Sequence, residues 1–165
     1  MDAKEIEKIT ESLKKLEPGF LPFSIFSEVA RIMTMVTVEV IIFLKESDFD
    51  TPKILLLQRP ADDVWWPNEW HVFGSILRAT DTENTFKDAF QRIEEESDSK
   101  FIHEPIFLRN HFRKEQRGSA LAIQYYVILK KKGDVGVYFD LNKLPSNIVK
   151  ETKDLIEFAV EKLKL

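Results

Sequence analysis

Arg92 opens the run Arg92-Ile93-Glu94-Glu95-Glu96, and an arginine beside acids at helical spacing can hold a cation and an anionic ligand together. With roughly 100 degrees per residue on a helix, Arg92 and Glu96 fall on one flank, a turn apart. Glu94 and Glu95 point elsewhere, Glu95 almost opposite the apolar stripe of Phe86, Ala89, Phe90 and Ile93. The run therefore reduces to one useful carboxylate, Glu96, with Arg92 placed to orient it or to reach a phosphate. Glu39 sits inside the otherwise apolar run 36–44, where a carboxylate is costly unless paired or functional. An edge strand with Glu39 facing solvent is the alternative reading. Arg59 ends the apolar run 54–58 and reads either as a phosphate contact or as a surface ion pair.

The elements that must position these residues are legible as alternating periods. Ile6, Ile9, Leu13 and Leu16 follow helical spacing and stop at Pro18-Gly19, an added N-terminal helix. Residues 25–33 predict a second short helix. Residues 36–44 and 53–58 predict two strands joined as a hairpin through the polar connection 45–52. The aromatic loop 65–70 precedes short strands through Val72 and through Ile76-Leu77. Thr80-Asp81-Thr82-Glu83 matches a capping box at the start of the acidic helix. Residues 106–112, 121–129 and 137–141 predict further strands. A last helix after Pro145 buries Ile148, Thr152, Leu155, Ile156, Ala159 and Leu163. Strands interleaved with helices predict an α/β layered domain with a mixed sheet. The expected division is a helical extension over residues 1–19 and one domain over 20–165.

Composition narrows the chemistry. Among 165 residues, 24 basic and 28 acidic side chains leave a net charge of −4, without the basic excess of nonspecific nucleic-acid binding. No nucleic-acid partner is expected. The chain has no cysteine, which removes thiolate zinc sites and leaves oxygen and imidazole donors, suited to a hard cation. No apolar run reaches the roughly 20 residues that a membrane span needs, so a cytoplasmic protein without membrane partners is expected.

Several side chains carry two readings. Trp65 and Trp66 can stack on a base or cover a sugar. Arg78, four residues after Gly74, reads as a solvated loop arginine or as a diphosphate contact. His111 stands with Arg109, Arg113, Lys114 and Arg117 ahead of Gly118, a solvated hairpin tip or a substrate loop. His71 alternates with Val72 and reads as structural.

The strand 54–59, the turn Trp70-His71-Val72-Phe73-Gly74-Ser75 and the helix around Arg92 together resemble the Nudix pyrophosphohydrolases. Arg92-Ile93, Glu39 and Arg59 resemble the GDP-mannose mannosyl hydrolase branch, which has an apolar residue after the arginine. The pattern departs from the family at Ile93 and Ser97, which replace two glutamates of the box, at Ser75 and Phe73, and at Asn84. The resemblance implies a Nudix-like α/β/α sandwich and magnesium, or manganese, held by Glu96 and the Gly74 carbonyl. It implies catalytic roles for Arg92, Glu96 and a late-loop general base, for which Asp134 is the candidate, with Glu115 and His111 as rivals. Asp134 before a glycine is also an ordinary turn residue. Glu39, Arg59, Trp65, Trp66 and Arg78 are the implied substrate contacts. The implied activity is magnesium-dependent hydrolysis of a nucleoside-diphosphate-linked compound, a nucleotide sugar or a relative. The alternative is a catalytically degenerate Nudix domain that binds a nucleotide or a protein partner. The two terminal helices pack on the domain or on a second copy, as a homodimer.

Overall fold

Val36 to Leu44 alternates between two apolar faces, and this double-sided pattern makes the strand containing it the axis of the fold. The computed structural model describes residues 1–19, 21–47 and 51–165. Strand β1 (Thr34–Leu44) pairs antiparallel with β2 (Lys53–Gln58), the expected hairpin. Its connection 45–52 includes residues 48–50, which lie outside the described residues. Short strands β3 (Trp70–His71) and β4 (Phe73–Ile76) then add to β2 and β1 respectively. Strands β5 (Ile106–Glu115) and β6 (Gly118–Leu129) form an antiparallel hairpin, and β6 lies parallel to β1 along its whole length. Strand β7 (Val137–Asp140) closes the other side against β2. The sheet is mixed, in the order β3-β2-β1-β6-β5, with β4 and β7 attached to β1 and β2.

Helices cover both faces. Val38, Val40, Ile42 and Leu44 pack with Ala89 and Ile93 of α3 (Thr85–Ser97), while Ile41 and Phe43 pack with Leu155, Ile156 and Ala159 of α4 (Lys150–Leu163). Parity along one strand thus divides the core into two layers, and the result is an α/β/α sandwich. The N-terminal residues add α1 (Ala3–Leu13) and α2 (Phe23–Ile32). Helix α1 has a true capping box, Asp2 with Glu5, and buries no residue. Helix α2 is anchored: a Cβ on Gly118, whose φ is +139°, would collide with the Ala30 carbonyl oxygen. Only glycine lets that helix lie so close to the start of β6.

Two expectations are corrected here. The capping box at Thr80–Glu83 does not form; α3 begins at Thr85, with Asn84 as an N-cap that makes no side-chain hydrogen bond. The segment is held as a turn instead: the Asp81 carboxylate accepts from Arg92, from the Arg78 backbone N–H and from the Thr85 hydroxyl, and Asp88 accepts from the Thr82 N–H and hydroxyl. The basic stretch 109–117 is not a solvated tip. Strand β5 continues to Glu115, and Arg109, His111, Arg113 and Glu115 alternate inward while Asn110, Phe112 and Lys114 are exposed.

Candidate functional site

Residues Thr37 and Glu39 share the sheet face of Ile41 and Phe43, but α4 stops short of them. A cleft of about 1130 Å³ opens there, bounded by the start of α4 (Val149, Glu151, Thr152), by α3 and by the N-terminal segment. Glu39, Arg59, Trp66, Gly74, Arg78, Arg92 and Glu96 all line it, so seven of the residues singled out from sequence meet in one place. Two do not. Asp134 is exposed on the turn before β7, outside the cleft lining. Trp65 also stays behind the wall, packed against Phe23 at 5.3 Å and Phe26 at 6.4 Å between ring centroids.

Glu39 is held by a network that joins distant strands. Arg113 grips both carboxylate oxygens, and the Gln124 amide donates at 2.9 Å from the register position beside Glu39 on β6. Burial alone would raise this carboxyl, yet the hydrogen bonds from Arg113 and Gln124, with Arg117 nearby, hold it below the ordinary carboxylate range. Arg113 also donates to Glu115 at 2.5 Å, and Arg117 donates to the same carboxylate at 3.0 Å. Glu39 is thus neither an edge-strand residue nor an unpaired charge; it is paired and solvated by protein donors. Arg113, Glu115 and Arg117 line the cleft, as the substrate-loop reading of this segment expects, and Glu115 is a rival for the base; their pairing with Glu39 and with each other is what the sequence reading missed. Their alternate spacing along one strand face was the available signal.

Arg59 is fixed from two sides. Asp63 accepts its Nη1 at 2.7 Å while accepting the backbone N–H groups of Trp65 and Trp66, and the guanidinium stands 4.9 Å over the Trp66 ring. Arg117 stands 5.4 Å over the same ring. Arg59 Nε is buried without a hydrogen-bond partner. The aromatic loop therefore stiffens an arginine that spends one of its five N–H donors on Asp63. Arg92 differs: its Nη1 and Nη2 reach Asp81 at 2.6 and 3.1 Å, its Nε reaches Ser75 Oγ at 2.8 Å, and Nη2 also reaches the Ile76 carbonyl at 3.2 Å. With those bonds made it positions β4 and the following loop against α3 and has little left for a phosphate. Its hydrogen bonds pull the Asp81 carboxyl down to about 2.

Helix facing places Ile93 and Ser97 in the core. Glu96 faces the cleft, and among the described residues its carboxylate makes no hydrogen bond or ion pair. The cleft walls desolvate it and raise its pKa, partly opposed by Arg59. Glu95 also reaches the cleft rim, contrary to the facing estimate, while accepting from Gln91 at 2.9 Å. Gly74 sits directly against Glu39; a Cβ there would stand 3.2 Å from the Val38 carbonyl oxygen and 3.4 Å from Glu39 Cγ. His71 lines the same cleft. Its Nδ1 contacts the Val72 carbonyl at 2.7 Å, which requires Nδ1 to donate and leaves Nε2 a bare acceptor. Burial, reinforced by the charge of Arg59, pushes His71 down to about 4, so the ring is neutral near pH 7.

Solved structures with the same arrangement of strands and helices share little sequence with this chain. The Nudix domain of Shewanella oneidensis NrtR, solved with ADP-ribose, aligns over 93% of this chain and 97% of its own with a TM-score of 0.64 and 18% identity. A MutT/Nudix family protein from Listeria innocua aligns over 79% of this chain and 94% of its own, at a TM-score of 0.64 and 18% identity. The fold is the Nudix fold. The C-terminal domain of mouse MUTYH, solved in complex with human PCNA, shares it at a TM-score of 0.62 and 12% identity, over 80% of this chain and 91% of that one. No family model matches the chain, and no curated protein matches it in sequence.

The Nudix resemblance implies magnesium, and the donor set permits a test of fit. Among the described residues no three His, Asp or Glu side chains gather as a metal cage. Magnesium, however, commonly keeps several waters and uses one or two carboxylates beside substrate phosphates. Glu96, a desolvated carboxylate without a protein partner, fits an ion that arrives on a diphosphate. No helix among the described residues is long and apolar enough to cross a membrane.

Proposed function

We propose that this chain is a Nudix-type hydrolase of a nucleoside-diphosphate-linked small molecule, a nucleotide sugar or a relative, acting with magnesium delivered on the substrate. One observation carries the reading. Among the described residues, a single cleft holds a carboxylate that makes no hydrogen bond or ion pair, Glu96, and an arginine that gives only its Nη1 to a protein side chain, Arg59. Both vacancies match a diphosphate with its cation: the arginine donor faces a phosphate oxygen, and the carboxylate supplies the cation's protein ligand. Magnesium would neutralise the diphosphate and favour departure of the phosphate leaving group.

The remaining residues have definable parts. Asp63 and Trp66 hold the Arg59 guanidinium still, so its donor is oriented before ligand arrives. Arg78 lines the cleft with an exposed side chain and is the second phosphate contact. Glu39, paired with Arg113, presents a fixed polar floor to the organic group. Asp134, on its exposed turn, leaves the role of base to a group within the cleft, and His71 Nε2 is the neutral acceptor there. Arg92 is a positioning residue, clamping Asp81 and Ser75.

The second reading is a Nudix domain that binds such a ligand without cleaving it. The missing three-carboxylate cluster favours it. A product assay over nucleotide sugars and dinucleotides with magnesium, paired with calorimetry on the same compounds, separates the two. The hydrolase reading expects turnover of at least one compound. Binding without turnover across the panel assigns the chain to the second reading.

A further inference from the structure

Gln124 is a wholly buried amide on β6, a strand whose other buried positions are Ala120, Ala122, Val127 and Leu129. A buried amide is costly unless both of its ends are bonded. Both are. The Gln124 side-chain NH2 donates to Glu39 at 2.9 Å, and its carbonyl oxygen accepts from Arg109 Nε at 2.7 Å. A carboxylate only accepts and a guanidinium only donates, so this is the one orientation of the amide that satisfies both neighbours. Glu39, Gln124 and Arg109 lie abreast on β1, β6 and β5, in one row across three strands.

The row exists because of an irregularity in β5. After Ile106 opposite Tyr126 and Phe107 opposite Tyr125, regular pairing would set Leu108 opposite Gln124, but the register shifts between Phe107 and Arg109, and Arg109 takes that place. Leu108 instead joins the buried cluster of Leu155, Ile156 and Ala159. A bulge of this kind re-aims a side chain. Helix α4 holds it in place: Lys162 Nζ donates to the Leu108 carbonyl at 2.8 Å, and the Arg109 guanidinium stands 4.1 Å over the Phe158 ring, with the charge of Asp154 nearby. Glu39 lines the cleft and Arg109 does not. An arginine outside the cleft thus reaches into it through one amide.

A reversed Gln124 amide would set its oxygen against Glu39 Oε2, two acceptors with no proton between them, and would turn its NH2 onto a guanidinium. Arg109 forbids that arrangement. We propose that Arg109 is a positioning residue of the cleft: seated by α4 at the β5 bulge, it locks the Gln124 amide and thereby fixes the Glu39 carboxylate that the cleft presents to a ligand. Helix α4 then does more than cover the sheet, since Phe158 and Lys162 act on a group two strands away. The inference rests on the reading of this cleft as a ligand site, with Glu39 facing the organic group, and does not depend on which bond breaks.

The first readout is the titration of the Glu39 side-chain carboxyl, followed by carbon NMR and assigned by loss of its signal in Glu39→Gln. Arg113, Arg117, His71 and His111 also act on Glu39, and all four stay in every protein compared. Arg109→Met should raise the pH at which Glu39 titrates, because the amide is no longer held as its donor. The same substitution in a Gln124→Met background should change nothing further, since the amide that carries the effect is gone. Phe158→Leu, which keeps every charge, should raise that pH by less than Arg109→Met does. No rise in Arg109→Met overturns the inference, and so does an equal rise with Gln124 present or replaced, which would mean that Arg109 acts by its charge alone. If a methionine variant fails to fold, Phe158→Leu decides: a rise supports the inference and its absence overturns it. The second readout uses the nucleotide-sugar and dinucleotide panel. Arg109→Met should raise KM by about fivefold, the scale of one hydrogen bond, and leave kcat unchanged; where nothing is turned over, Kd by calorimetry should rise likewise. A moved Glu39 titration with unchanged KM and Kd would overturn the role in the cleft. Turnover with an unmoved titration would overturn the inference and leave the hydrolase reading intact. A moved titration with weakened binding and no turnover would do the reverse.

Discussion

His71 shows how one buried ring couples the cleft to pH. Its folded pKa of about 4 lies below the ordinary 6.5, so between those values the unfolded chain binds a proton that the folded chain refuses. Its contribution to stability is complete above about pH 6.5 and is lost as pH falls toward 4. Replacing it removes that dependence: the fall in melting temperature from pH 7 to pH 4.5 should be smaller in His71→Gln than in the native protein. Equal falls would show that the ring is not buried as a neutral acceptor. Asp81 titrates lower still. Its pKa, brought down to about 2 by Arg92, makes its contribution present above about 3.8 and lost as pH falls from there toward 2. Asp81→Asn should cost about 2 kcal/mol near neutral pH, as for a hydrogen bond to a charged group, readable by urea denaturation. A change within a few tenths would remove Arg92 from its positioning role. The sequence placed Arg92 and Glu96 on one helix flank correctly, but Asp81 was invisible as a partner because it sits eleven residues away in a loop without periodicity.

At the scale of elements, the first hairpin, the mixed sheet and the two covering helices follow from patterns the sequence displays openly, whereas the parallel β1–β6 pairing does not. Apolar runs alternate with helical stripes, and Val36 to Leu44 is apolar on both faces. What was misread depended on long-range pairing. Arg113 meets Glu39 across 74 residues of chain, through a register set by β6, so neither segment alone reveals the ion pair. The seat of α2 was also hidden, being set by a glycine on a strand 88 residues after the Ala30 carbonyl that it admits. Gly118→Ala should destabilise the fold by more than about 2 kcal/mol, from the collision with Ala30 and the positive φ together. Native-like stability in that variant would mean that α2 does not rest on β6 as described.

For the whole molecule, a Nudix fold carries a cleft in which, among the described residues, no three His, Asp or Glu side chains gather as a metal cage. The fold was readable because layered packing needs only the pattern of apolar faces, whereas the site depends on which charged side chains find each other. Arg92, Arg113 and Arg117 are engaged with Asp81, Glu39 and Glu115, while Glu96 faces the cleft without a hydrogen bond or ion pair among the described residues. The central claim is that this carboxylate, with Arg59, completes a site for a diphosphate and its cation. The direct measurement is the rate of product formation by native protein and by Glu96→Gln, side by side, on the best compound of the nucleotide-sugar and dinucleotide panel at saturating magnesium. The account predicts a loss of on the order of a hundredfold in the variant, the scale seen when one group that stabilises transition-state charge is removed. Equal rates in the two proteins would contradict it.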